Sequence, residues 1–119
     1  MTVYVVQEPQ NFDRLTGKHT SKFDMSSASE FGPVEVLINW TAKPWDGTVV
    51  KELRHKLSRF GPGDWLILAG NPCLMGAAAA IVADYCDGQL RLLQYNGREG
   101  RYLPVVLETY GHGDESGDL

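Results

Sequence analysis

Cysteine is scarce in this chain, with two in 119 residues, Cys73 and Cys86. Both fall in one predicted helix, where a rise of about 1.5 Å per residue sets them roughly 20 Å apart. A disulfide needs Cα atoms within about 7 Å, so free thiols are expected. The three histidines, His19, His55 and His112, share no paired zinc-ligand spacing with them, so no metal and no cofactor is expected. Positive charge is also short: 11 Lys and Arg against 15 Asp and Glu leave a net charge of −4. That balance argues against bulk attraction to nucleic acid or an anionic membrane, which depends on excess Lys and Arg. No apolar run approaches the roughly 20 residues of a membrane span. Met1-Thr2-Val3-Tyr4 lacks the basic region and apolar core of a signal peptide, so a cytoplasmic location is expected. Missing too are the glycine fingerprint of a dinucleotide fold and a Gly-Lys-Ser/Thr loop ending. No nucleophile, base and orienting group stand together, so no catalytic residue is assigned and no enzymatic activity is expected.

What the chain does have is 43 % apolar residues, enough to fill one core. Val3-Tyr4-Val5-Val6 reads as a strand that Glu8-Pro9 ends. From 7 to 32 the sequence is mostly polar, and Phe12, Leu15, Phe23, Met25 and Phe31 keep no period. A loop this long is either a docking arm or partly disordered, and its aromatics favour an arm. A second strand follows at Val34 to Asn39. Thr48 then caps a helix whose Val49, Val50, Leu53, Leu57 and Phe60 share one face.

Gly61-Pro62-Gly63 stops that helix ahead of Trp65-Leu66-Ile67-Leu68-Ala69, the best candidate for a buried central strand. Gly70-Asn71-Pro72 supplies a permissive Gly, an Asn cap and a Pro for the first turn of a helix from Pro72 to Cys86. Asp84 is the one charge in it. A helix apolar almost all round must be covered on more than one side. Gln89 to Tyr95 and Arg101 to Glu108 form a hairpin around Asn96-Gly97, and 111–119 reads as a disordered acidic tail.

The fold expected over 1–110 is therefore α/β: a small mixed sheet of about five strands, β-β-α-β-α-β-β, with two helices and a C-terminal β-hairpin. The pattern leaves open whether the helices share a face.

Three surfaces are candidate sites. Gly70, Asn71 and Cys73 place backbone donors and a helix dipole beyond a central strand, a position suited to phosphate or carboxylate, although most such turns are only caps. Lys51, Arg54, Lys56 and Arg59, with His55, form a basic helix face, and Arg91, Arg98 and Arg101 lie near Tyr95 and Tyr102. Such a surface could track a phosphate backbone, although a solvated face is the commoner meaning. Trp40 and Trp45 sit in one loop, as a lid over the core or an exposed binding surface. The sequon Asn39-Trp40-Thr41 is set aside, because a chain without a secretory signal does not meet the modifying enzyme.

Val5-Val6-Gln7-Glu8-Pro9, Asp64-Trp65-Leu66-Ile67-Leu68-Ala69-Gly70-Asn71-Pro72 and Arg91-Leu92-Leu93, with Arg101-Tyr102-Leu103-Pro104-Val105, span most of the chain. In these segments it resembles small, functionally uncharacterised proteins encoded by tailed bacteriophages. The resemblance implies a phage origin and action in the host cytoplasm, and no chemistry.

With surface features but no catalytic set, the chain reads as a non-enzymatic protein-binding module for a host or phage protein. A binder of a nucleotide or other phosphorylated small molecule at Gly70 to Cys73 is the alternative. A nucleic-acid-binding accessory protein using the basic face is a second. Self-association as a homodimer is expected wherever the Ala-rich helix keeps an open stripe, unless the arm folds over it.

Overall fold

The β-branched and aliphatic runs become strands in a computed structural model of the chain, which describes residues 1–8, 10–13, 15–21 and 26–111 and, for 10–13 and 18–21, the backbone alone. The strands are β1 (Val3–Gln7), β2 (Gln10–Asp13), β3 (Lys18–Ser21), β4 (Val34–Ile38), β5 (Trp65–Ile67), β6 (Gln89–Asn96) and β7 (Arg101–Glu108). The helices are α1 (Gly47–Lys56) and α2 (Pro72–Tyr85), and short 3-10 turns occupy Ser26–Phe31 and Leu57–Arg59. Five strands make one mixed sheet in the order β4-β1-β5-β6-β7. The first four are mutually parallel, and β7 returns antiparallel to β6 as the hairpin predicted from Asn96-Gly97. The apolar run at Trp65 is the middle strand, but its strand part ends at Ile67 because Leu68 and Ala69 already turn towards α2.

Alternation along β1 divides the interior in two. Tyr4 and Val6 point with Leu66 into a core that holds Leu53 of α1, Leu57 of the turn after it, and Leu74, Ala78 and Val82 of α2. Both helices therefore cover the same sheet face. The opposite face holds Val3, Val5, Ile67, Leu93 and Tyr102, and Ala28 of the Ser26–Phe31 turn packs on it. Each fully buried Leu or Val here contributes about 1.5–3 kcal/mol relative to exposure.

One expectation needs correction. The stretch 7–32 is not one irregular loop: β2 and β3 pair antiparallel from Gln10↔Ser21 to Asp13↔Lys18, and the segment ends in a 3-10 turn docked through Ala28. Four-residue polar strands carry no hydrophobic period to announce them. The expected cover of α2 on more than one side is met by the sheet (β1 and β6) and by α1 with the Leu57–Arg59 turn, but one flank stays open. Leu74, Ala78, Ile81, Val82 and Ala83 are buried, while Cys73, Gly76, Ala80 and Asp84 face outwards. Ala and Gly present so little apolar area that this flank can stay in water.

The cap of α1 is Asp46 rather than Thr48: its carboxylate accepts from the Thr48 N–H at 3.0 Å and from the Thr48 hydroxyl at 2.8 Å. Those two bonds lower the Asp46 pKa. Cys73 and Cys86 are free thiols, and burial raises the pKa of Cys86. The expected tail, 111–119, lies outside the described residues except for Gly111.

Candidate functional site

Two groups of residues meet at the carboxyl ends of the parallel strands, where open α/β sheets place ligands. The first is organised by Gln7, the last residue of β1 and the one buried polar side chain among the described residues, 3 % exposed. Its Oε1 accepts from the Asn71 N–H at 2.7 Å, and its Nε2 donates to the Asn39 carbonyl at 3.0 Å. One carboxamide thus ties the strand-to-helix turn before α2 to the start of the tryptophan loop. The backbone N–H of Gln7 meets the Ala69 carbonyl at 3.1 Å on the same side. Gly70 sits at φ +107°, and a Cβ there would stand 2.5 Å from the Cβ and Oε1 of Gln7. Gly is required at this position by both conformation and space.

This arrangement bears directly on Gly70, Asn71 and Cys73 as an anion site. The Asn71 N–H is held by Gln7, the Cys73 N–H by the Asn71 side chain at 2.8 Å, and Pro72 has no N–H to offer. The donors that would greet a phosphate at the first positions of the turn are engaged within the chain. Cys73 itself is exposed.

The tryptophan loop leaves the same point. Asn39 Oδ1 accepts from the N–H and hydroxyl of Thr41, at 2.9 and 2.7 Å, and closes the bend. Trp40 is half-exposed and Trp45 is 79 % exposed, with the Lys43 ammonium 5.8 Å from its ring centre. The loop is an outward-facing surface rather than a lid. Lys51, Arg54 and Arg59 are exposed on α1 and the turn after it. Lys56 is not free to join them: its ammonium bridges Glu52 at 2.8 Å and the Leu37 carbonyl of edge strand β4 at 2.6 Å.

The second group was not evident from the sequence. Strands β5 and β6 pair only at Leu66↔Leu92. Beyond that point β5 turns away with β1 towards α2, while β6 continues to Asn96 beside β7. The parting opens a crevice of about 380 Å³, with Leu68, Leu92, Tyr95, Tyr102, Val105 and Leu107 among its walls. Tyr102 is buried and meets Tyr95 edge-on, ring centres 5.2 Å apart, a favoured aromatic geometry. Leu68, Tyr95 and Leu107 are 39, 48 and 45 % exposed around the mouth. Gln94 and Tyr95 are shared with an adjoining cleft that Asn96, Arg98 and Leu103 line.

The arginines expected to act together are separated. Arg91 lies over the Trp65 ring at 4.1 Å and donates to the Asp64 carbonyl at 3.2 Å, and Arg101 pairs with Glu99 at 2.6 Å. Among the described residues Arg98 keeps a guanidinium without an ion-pair partner. No group of three or more His, Cys, Asp or Glu side chains is gathered to hold a metal among the described residues, and no helix there is long and apolar enough to cross a membrane. The one sequence signal for the crevice was the placement of Tyr95 and Tyr102 on either side of the hairpin turn.

The family model described as Phage Pam3 gp32-like protein matches residues 1–109. No curated protein matches the chain, and no solved structure does.

Proposed function

We propose a function for a chain that belongs to the Phage Pam3 gp32-like protein family: it is a non-enzymatic protein-binding module that acts on a host or phage protein in the host cytoplasm. The observation that carries this reading is the cluster of Leu68, Tyr95 and Leu107 around the β5/β6 crevice. Single exposed apolar residues are ordinary, but a group of them lining one concavity marks a contact surface. The exposed Trp45 lies on the loop after β4, at the same carboxyl end of the sheet. The phosphate reading of Gly70 to Cys73 is weakened by donors already satisfied, and the nucleic-acid reading by the engagement of Lys56, Arg91 and Arg101.

Affinity capture from infected host cells tests this function. A protein retained in stoichiometric amount by the wild-type chain and lost with Leu68→Glu or Trp45→Ala supports it. Capture abolished by nuclease and by Lys51→Glu with Arg54→Glu would transfer the function to nucleic acid. A nucleotide-dependent thermal shift lost in Asn71→Asp would transfer it to a phosphorylated ligand.

Self-association is a second reading, favoured by the open flank of α2 at Cys73, Gly76 and Ala80. A Cβ on Gly76 would meet nothing within 4 Å, so Gly76→Arg is compatible with the monomer and blocks close helix approach. Sedimentation equilibrium separates the states: a mass above 13.2 kDa that Gly76→Arg returns to 13.2 kDa supports a dimer, and 13.2 kDa at all concentrations excludes it.

A further inference from the structure

We infer that the β5/β6 crevice receives an apolar side chain from the partner protein, and that a carboxylate beside that side chain pairs with Arg98. This rests on the reading of the chain as a protein-binding module. About 380 Å³ is near the lower end of ligand-pocket sizes, room for one or two apolar side chains rather than for an extended cofactor. The walls supply aliphatic and aromatic surface, and Tyr102, 2 % exposed, gives the crevice a fixed wall against which an inserted group packs. Interface energy concentrates in such anchors.

Charge at the rim selects what stands next to the anchor. Arg91 is spent on Trp65, and Arg101 on Glu99. Arg98 remains, on a turn whose shape is held by Asn96 Oδ1 accepting from the Arg98 N–H at 3.0 Å and the Glu99 N–H at 3.3 Å. Its cleft shares Gln94 and Tyr95 with the crevice, so an anion there sits one side chain away from the apolar anchor. Strand addition at this end is disfavoured, because Pro104 in edge strand β7 has no N–H to offer an added strand. The apolar crevice suits insertion of a side chain.

The test is an NMR titration of the isotope-labelled chain with two short acetylated peptide amides, one carrying Leu-Phe-Asp and the other Leu-Phe-Lys. The expected result is saturable shifts at Leu68 and from Leu92 to Arg98, with the acidic peptide bound several-fold more tightly. Arg98→Glu, on an exposed turn, should reverse that preference, and Leu68→Glu should abolish binding of both. Absence of saturable shifts, shifts confined to other surfaces, or a charge preference untouched by Arg98→Glu would overturn the assignment. Captured partner that depends on Trp45 but not on Leu68 would also overturn it while leaving the binding-module reading intact. Loss of stoichiometric capture altogether would remove that reading itself.

Discussion

Replacing Gln7 by Met keeps an unbranched side chain of similar length and removes only its hydrogen bonds. The Asn71 N–H and the Asn39 carbonyl then each lose a partner at a site where the Gln7 side chain is almost wholly enclosed. An unsatisfied group costs about 1–3 kcal/mol, and because both bonds are only part-buried the lower half of that range applies, roughly 2–4 kcal/mol for the pair. Against a domain stability of about 5–15 kcal/mol this is a large loss. Urea unfolding should show a lower midpoint with an unchanged slope. Gln7→Glu adds a sharper signature. Its carboxylate would still accept from Asn71 but would face the Asn39 carbonyl, so the folded state favours the protonated acid and raises its pKa above the usual value of about 4.3. A native state that keeps a proton the unfolded chain has released loses stability as pH rises through that interval. Gln7→Glu should therefore approach wild-type stability below pH ~4 and fall behind it above. Wild-type midpoints for Gln7→Met, or a Gln7→Glu deficit that does not change with pH, would refute the idea that this amide joins the two turns.

Gly70→Ala should destabilise by at least about 2 kcal/mol through strain at φ +107° and collision with Gln7, and part of that cost should vanish in the double variant with Gln7→Ala. Asn71→Ala removes the α2 cap and should cost about 1 kcal/mol by the same unfolding measurement. Towards a disulfide reagent at neutral pH, the exposed Cys73 should react quickly and Cys86 slowly, since burial raises the Cys86 pKa and limits access; equal rates would contradict this.

The sheet and both helices were legible because each carries its own local signal. Apolar runs at Val3, Val34 and Trp65 gave the parallel strands, Gly70-Asn71-Pro72 gave the start of α2, and Asn96-Gly97 gave the hairpin. Strands β2 and β3 were not legible, since two polar segments of four residues are too short to show a hydrophobic alternation. The lack of charge in α2 announced its two covered sides but not the flank at Cys73, Gly76 and Ala80 that it leaves open. Gln7 looked like the end of a strand and nothing more, because its role depends on two turns more than 30 residues away in sequence. The candidate site was least legible of all: the crevice exists because β5 leaves β6 after Leu66↔Leu92, a divergence that no residue in either strand announces. Tryptophans and arginines drew attention by type, yet Arg91 and Lys56 proved to be tied to Trp65 and to β4.

Hydroxyl-radical footprinting of the purified complex with the captured partner tests the account most directly, because Leu, Tyr and Trp side chains report their own exposure. Binding through the crevice predicts that oxidation of Leu68, Tyr95 and Leu107, all open in the free chain, falls several-fold in the complex. Unchanged oxidation of those three, with protection confined to Trp40 and Trp45 or to the exposed face of α1, would contradict it.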